Sequence, residues 1–285
     1  MRFERLVIIG CGTVGSAFAA AAREKELAGR IVAVDTAAMA LAKLLEDGTA
    51  DEAMFDARPA VAKADAVILC VPASAVVQVL YTIIDDIAPG TLVMDTAAAK
   101  SRIVRETDEF VPLTVHYIST HPIFTKGGGD KTGAARFDGG ICVMTPSEST
   151  KPEAMEKALD LYKDLGMRVI QMDPNDHDVA LAALEQLPSV ISIATLVTLD
   201  SSAKELGHFV ELGADRLKDL VRHAPRASSG WADKALDNRE QVAFLLERLE
   251  GVVHTLRDAL EKGNGPAIQG ILQRVDALLG RTPQA

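Results

Sequence analysis

The sequence predicts an α/β protein, a doubly wound sheet over residues 1–173 followed by an all-helical domain over 174–285. Three observations carry that expectation. A short apolar run, Leu6 to Ile9, enters the glycine turn Gly10-Cys-Gly-Thr-Val-Gly15 and leaves it through the alanine-rich stretch Ser16 to Arg23. Strand-like apolar runs then alternate with helix-like stretches as far as Met172, the pattern of a mostly parallel sheet. Beyond Pro174 strand signals cease, and apolar residues recur at helical spacing as far as Leu279.

The glycine turn has the spacing G-x-G-x-x-G of a Rossmann-type nucleotide-binding loop. Gly10 permits the tight turn off the strand, Gly12 lets the backbone approach a pyrophosphate, and Gly15 lets the helix pack on the sheet. Thr13 and Val14 complete the loop and open the helix, whose free N–H groups and positive dipole end favour an anion. Arg30 to Asp35 reads as a second strand ending in an acid, 20 residues after Gly15. A carboxylate there accepts hydrogen bonds from a ribose diol and repels a 2′-phosphate, so NAD is expected over NADP. Thr36 or a nearby arginine would be needed to accommodate the phosphate. The competing reading makes Asp35 only a cap of the next helix.

The chain has 285 residues, enough for two domains or one large one, and an apolar content of 48% supports a full core. A net charge of −10 argues against a nucleic-acid partner, which requires a basic face. Cys11, Cys70 and Cys142 lie far apart in apolar surroundings and without metal-ligand spacing. They read as reduced thiols of a cytoplasmic protein. The first strand begins almost at the N-terminus, so no signal peptide is expected. No run is expected to cross a membrane, and no metal is expected.

After Asp35, residues 37–45 read as a helix. Asp65 to Pro72 is an apolar run suited to a central strand buried on both faces. Its end, Cys70-Val71-Pro72, falls at the carboxyl edge of the sheet, where ligands bind in such folds. A helix over 74–86 and a turn at Pro89-Gly90 lead to a strand over 91–96, which places Thr96 at the same edge. A short helix over 100–109 precedes a strand over 115–119 that runs into His121-Pro122. Residues 127–133 are a glycine-rich loop beside Lys126. Strands over 140–145 and 167–172 flank a helix over 151–165. In the second domain one helix runs through Leu181, Leu184, Leu187, Ile191, Ala194 and Val197, a second from about Asp233 to Lys262, and a third from Pro266 to Leu279. Long helices need packing partners, and a second copy of the chain would supply them, so a homodimer is expected.

Few residues suggest chemistry. His121 follows a strand at the edge where a nicotinamide would lie. A neutral imidazole there can take a hydroxyl proton while hydride leaves the same carbon, or it can simply be satisfied by backbone. Arg222 can hold a carboxylate bidentately or form a surface ion pair. Trp231 on its own reads as core. His177 and Asp178 are either a pair or a helix start. Adjacent helix residues point to different faces, which favours the helix start. Lys100 and Lys126 are the basic residues near the expected site, and most lysines are simply solvated.

The order of these motifs resembles the prephenate/arogenate dehydrogenases of tyrosine biosynthesis over most of the chain. Asp95-Thr-Ala-Ala-Ala-Lys100 is similar to the family's D-x-x-S-x-K. Thr120-His-Pro-Ile-Phe124 is similar to its H-P-[MI]-[AF], and Gly133 to Gly139 to the stretch that follows. His177-Asp178 with Leu187-Pro188 is similar to H-D…H-L-P, and Asp219-Leu-Val-Arg222 with Trp231 and Asn238-Arg239 to D-x-T-R…W…N-[RK]. The resemblance implies oxidative decarboxylation of an anionic cyclohexadienyl substrate with NAD. It implies His121 as base, Arg222 on a substrate carboxylate, Trp231 and Asn238 shaping the substrate end, and a helical dimerisation domain. The departures are specific. Ala98 replaces the serine that commonly contacts the catalytic histidine, leaving Thr96, Ser119 or Thr120 as candidate substitutes. Glu185-Gln-Leu-Pro-Ser189 replaces S-H-L-P-H, with Gln186 able to hydrogen-bond a substrate and Lys126 able to offset Glu185. These changes fit a substrate bearing an ammonium near Glu185, such as arogenate or an amino-substituted prephenate, or a weakened activity. A β-hydroxyacid dehydrogenase and a non-catalytic NAD-binding regulator are the competing readings.

Overall fold

The computed structural model describes residues 2–125, 132–202, 222–226 and 230–280. They divide into two compact units. The first comprises Met1–Leu181 with Ala227–Asn238, and the second Ala182–Arg226 with Arg239–Ala285. This division differs from the expected boundary at 173/174 by one helix and one returning segment.

In the first unit, β1 (Phe3–Ile9), α1 (Thr13–Glu24), β2 (Ala28–Val34) and α2 (Ala38–Glu46) follow the expected order. Then come two elements that the sequence pattern does not predict, β3 (Glu52–Met54) and α3 (Ala57–Val61). Both are too short to show a period. The order continues with β4 (Ala66–Leu69), α4 (Ala73–Ile83), β5 (Leu92–Asp95), α5 (Ser101–Thr107), β6 (His116–Ile123), β7 (Ile141–Thr145), α6 (Pro152–Asp164), β8 (Arg168–Gln171) and α7 (Pro174–Leu181). The eight strands lie in the order β3-β2-β1-β4-β5-β6-β7-β8. All neighbours are parallel except β6 and β7. The sheet is therefore mixed, and its reversal at β6 bears on the site.

Successive residues of β1 serve different cores. Leu6 and Ile8 join Phe18, Phe137 and Tyr162 on one face, whereas Val7 and Ile9 join Val67, Leu80 and Ile83 on the other. With both faces covered, the central strands read as continuous apolar runs; all four residues of β4 are buried. The alanines of α1 let it lie close to the sheet. At Gly15 there is no room at all, since a Cβ would stand 1.8 Å from the Gly10 carbonyl oxygen.

Strand β6 runs beyond the Ser119 end expected for it. Ser119 pairs with Asp95 of β5 on one side and with Thr145 of β7 on the other. Beyond Asp95 the β5 ladder stops, and Thr120 to Ile123 pair only with β7, His121 opposite Val143. A proline inside a strand needs an edge, and Pro122 has one on the β5 side.

The unit closes with α9 (Trp231–Asp237). The single helix expected over 233–262 is broken at Asn238, which leaves helical geometry (φ −116°) and donates its Nδ2 to the Asp178 carbonyl at 2.9 Å.

The second unit is helical where described. A π-turn (Ala182–Gln186) precedes α8 (Leu187–Ser201). Pro188 lacks an N–H and its ring crowds the carbonyl four residues back, so the ladder widens there. Helices α10 (Arg239–Glu261) and α11 (Gly265–Leu279) form a hairpin, turned at Gly263 (φ +62°) and capped by the Asn264 side chain on the Ala267 amide. These helices leave Ile191, Val197, Phe244, Val253, Val275 and Leu278 exposed. By length and composition alone, Pro174–Ser201 is apolar enough to cross a bilayer, with mean hydropathy 1.6 over its best window. This corrects the expectation that no run is. Its first turns carry His177 and Asp178, whose hydrogen bonds tie them into the first unit.

Candidate active site

The glycine turn forms one wall of a crevice of about 510 Å³ at the carboxyl ends of β1, β2 and β4. Its lining includes Gly10, Gly12, Asp35, Thr36, Val71 and Pro72. Gly10 has φ +92°, and a Cβ on it would stand 2.6 Å from the Cys70 carbonyl oxygen. Gly12 is different, because a Cβ there would meet nothing within 4 Å. The space over Gly12 is open for a ligand, which is the cradle a pyrophosphate needs. Thr13 is exposed at the mouth of α1 and Val14 is half-buried behind it. The Asp35 carboxylate accepts the Cys11 amide at 2.6 Å and the Ala37 amide at 2.8 Å. It thus braces the glycine loop as well as the start of the next helix, and its remaining lone pairs can meet a ribose. Cys70 lines the crevice, and burial pushes its thiol up to about 12. Cys11 and Cys142 are buried, and burial likewise pushes each up to about 12; none of the three cysteines forms a disulfide. Thr96 follows β5, its amide held by the Leu69 carbonyl at 3.0 Å. Phe55 and Arg58 also line the crevice, from the β3–α3 segment that no sequence signal marks. These residues fit a dinucleotide.

A second polar cluster lies where β6 outruns β5. Its base is Lys100, with no exposed surface. The Nζ donates to Asp95 Oδ1 at 2.5 Å, Thr120 O at 2.7 Å and Ser119 Oγ at 3.0 Å. Three acceptors in three directions require three N–H groups, so Lys100 is an ammonium. Burial lowers its pKa, and the Asp95 charge opposes that shift. Asp95 in turn accepts the Tyr117 hydroxyl at 2.8 Å and the Ser119 hydroxyl at 2.6 Å. A lysine expected among solvated ones is therefore a fixed part of the floor beneath His121.

His121 is buried. Its Nδ1 lies 3.1 Å from His177 Nε2, and His177 Nδ1 lies 3.0 Å from Asp178 Oδ1. The two imidazoles meet edge to face at 82°. Asp178 also accepts the backbone amides of Lys100 and Ser101, both at 2.8 Å. Burial alone would raise the Asp178 carboxyl. Hydrogen bonds from His177, Ser101 and the Lys100 amide outweigh it and hold the group below its ordinary value. Burial, with the Lys100 charge and then His177 adding to it, holds His121 well below the usual imidazole range. At neutral pH it is uncharged. No hydrogen bond is made to His121 Nε2 among the described residues.

His177 and Asp178 are thus a hydrogen-bonded pair, not merely a helix start. The ring nitrogen and carboxylate reach each other because Asp173 caps α7 on the amides of Asn175 and Asp176, which sets both residues in its first turn. The proposed stand-ins for a serine at 98 do not reach His121. Thr96 Oγ1 bonds the Leu69 carbonyl, Ser119 Oγ bonds Asp95, and Thr120 Oγ1 bonds the Asp95 carbonyl and Tyr162. Trp231 is half-buried in the same unit, and its Nε1 is buried without a hydrogen-bond partner among the described residues. Gln186, buried in the π-turn, and Arg222, exposed, belong to the second unit. Lys126 lies outside the described residues.

Family models locate the chain among known proteins. Residues 18–171 match the nucleotide-binding domain of prephenate dehydrogenase, and residues 173–274 match its dimerization domain. The chain belongs to the prephenate dehydrogenase family. It is 23% identical over 246 residues to a prephenate dehydrogenase of Bacillus subtilis, covering 84% of this chain and 65% of that protein. The chain thus spans less than two thirds of that relative's length. It is 24% identical over 266 residues to a cyclohexadienyl dehydrogenase of Zymomonas mobilis, covering 92% of this chain and 90% of that one. The fold matches a prephenate dehydrogenase of A. aeolicus solved with hydroxyphenyl propionate and NAD+, at TM-score 0.81 and 21% identity over 98% of both chains. In this prephenate dehydrogenase-family chain, adjacency in the sequence and the likeness to the family's H-D were the signs of the His177–Asp178 pair, and no spacing pointed to its link with His121.

Proposed function

We propose that the protein catalyses NAD-dependent oxidative decarboxylation of prephenate or arogenate, giving 4-hydroxyphenylpyruvate or tyrosine. The observation that carries this reading is a neutral, buried His121 whose Nε2 is uncommitted among the described residues, in a chain of the prephenate dehydrogenase family. NAD, held by Gly10, Gly12, Thr13, Val14, Gly15, Asp35 and the Cys70-Val71-Pro72 edge with Thr96, supplies the hydride acceptor. His121 Nε2 takes the proton of the ring hydroxyl as the hydride leaves the same carbon. The electron pair of the carboxylate bond enters the ring, CO2 departs, and the aromatic phenolate that results takes back the proton held on His121 Nε2. Positioning and charge compensation are the protein's share.

Arg222 binds a substrate carboxylate through its guanidinium fork. Trp231 offers an indole N–H, and Gln186 and Lys126 complete the polar contacts. Glu185, where the resemblance implies a serine, favours a substrate with an ammonium, so a Glu185→Gln variant should shift preference from arogenate toward prephenate. Residues 1–173 form the nucleotide domain and 174–285 the substrate and dimerisation domain, working as a cytoplasmic homodimer. The exposed apolar residues of α8, α10 and α11, and the match to a dimerization domain, support the dimer. The direct test is NADH formation with prephenate and arogenate offered in parallel, with His121→Asn as control. Turnover of either, lost in the variant, is expected. NAD binding without turnover of either substrate would favour a regulator.

A further inference from the structure

We infer that His177 and Asp178 are positioning residues that lock His121 in the tautomer with Nε2 unprotonated, taking the place of a side chain absent at Ala98. The inference rests on the reading of His121 as the base. The directions of the hydrogen bonds follow from the chain's own groups. Both Asp178 oxygens already accept backbone amides, from Lys100 and Ser101, so the carboxylate is an acceptor only. His177 Nδ1, 3.0 Å from Oδ1, must therefore donate. With Nδ1 as the donor, Nε2 is the ring position of His177 left to accept, and His121 Nδ1, 3.1 Å away, donates to it. The proton of His121 is fixed on Nδ1, and the lone pair is left on Nε2. No other described side chain hydrogen-bonds Nδ1: the hydroxyls of Thr96, Ser119 and Thr120 are turned to other partners.

The relay is itself held in place. The Asp178 carbonyl accepts Asn238 Nδ2 at 2.9 Å, and the Ser101 hydroxyl donates to the Pro174 carbonyl at 3.1 Å. The backbone that carries His177 is thus held on both sides, at Pro174 and at Asp178. When Nε2 takes the substrate proton, the imidazolium keeps its Nδ1–H on His177, and the Asp178 charge balances it one ring away. This is the orienting role that a carboxylate plays behind a catalytic histidine, with a second histidine interposed.

Two variants and one spectrum test the relay on the full-length protein. His177→Gln presents an amide oxygen where Nε2 stood, and His177→Leu presents nothing that can accept. The expected result is a fall in kcat/KM of about 100-fold for His177→Leu, the cost of a misoriented catalytic group, with the NAD dissociation constant unchanged. His177→Gln should recover about tenfold of that loss. Independently, nitrogen NMR of histidine-labelled protein, with His121 assigned through His121→Asn, should show a protonated Nδ1 and a bare Nε2 in the wild type. That pattern should be lost in His177→Leu. A protonated Nε2 in the wild type, or equal rates for the two His177 variants, would overturn the relay. If the wild type turns over neither substrate, the dehydrogenase reading falls and the spectrum alone decides the relay.

Discussion

Replacing Lys100 by methionine removes the cation beneath His121 while keeping the length of the side chain. Three hydrogen bonds go, to Asp95, Ser119 and Thr120 O. Asp95 keeps the Tyr117 and Ser119 hydroxyls and the Ala97 amide, yet its charge is left in a site with no exposed surface. Breaking a buried pair from one side costs about 3–5 kcal/mol, because the surviving charge keeps its desolvation penalty. The Thr120 carbonyl adds the cost of an unpaired acceptor, about 1–3 kcal/mol where no water reaches it. With a urea slope of about 3 kcal/mol/M, the midpoint should fall by at least about 1 M. A Lys100→Met/Asp95→Asn double variant should recover about half of that loss, since it removes both charges together. Urea melts followed by circular dichroism, with NAD absent, would measure both. A single variant within about 1 kcal/mol of wild type, or a double variant less stable than the single, would refute the claim that the pair holds this floor in place.

Other expectations follow from the same geometry. His121→Asn should lower kcat by about 10²- to 10⁴-fold with NAD affinity intact, measured by initial rates and calorimetry. Because burial, Lys100 and His177 depress His121, with Asp178 opposing and Lys234 adding to the shift, the base stays unprotonated below the ordinary value of 6.5. The acid limb of kcat/KM should therefore lie below that value, activity falling as pH drops through it; a limb above it would contradict the assignment. Gly12→Ala should leave the melting temperature unchanged, since a Cβ meets nothing within 4 Å, yet weaken NAD binding about tenfold or more. Gly10→Ala should cost both, because its φ of +92° and the Cys70 carbonyl leave no place for a side chain.

The nucleotide half of the fold was legible because its signals are local. The glycine spacing, the acid after β2 and the buried runs of β4 and β5 each report a backbone requirement at its own position. β3 and α3 were not legible, since three and five residues carry no period. Nor was the antiparallel step between β6 and β7, because a five-residue apolar run such as Ile141–Thr145 carries no mark of its direction. His121 stood out by its place after a strand. Its partners did not, because the pairing of His121 with His177 joins residues 56 apart in sequence, and the burial of Lys100 depends on Asp95, Ser119 and Thr120 converging on it. The break at Asn238 was hidden for the same reason. Its cause is a hydrogen bond to Asp178, 60 residues away.

On the proposed function, hydride loss and decarboxylation occur together on a ring substrate. The measurement that tests it most directly is the ratio of labelled CO2 to NADH from prephenate or arogenate labelled in the ring carboxylate. One CO2 is expected for each NADH, with both lost in His121→Asn. NADH without CO2 would mean a simple alcohol oxidation of the β-hydroxyacid type, and would contradict it.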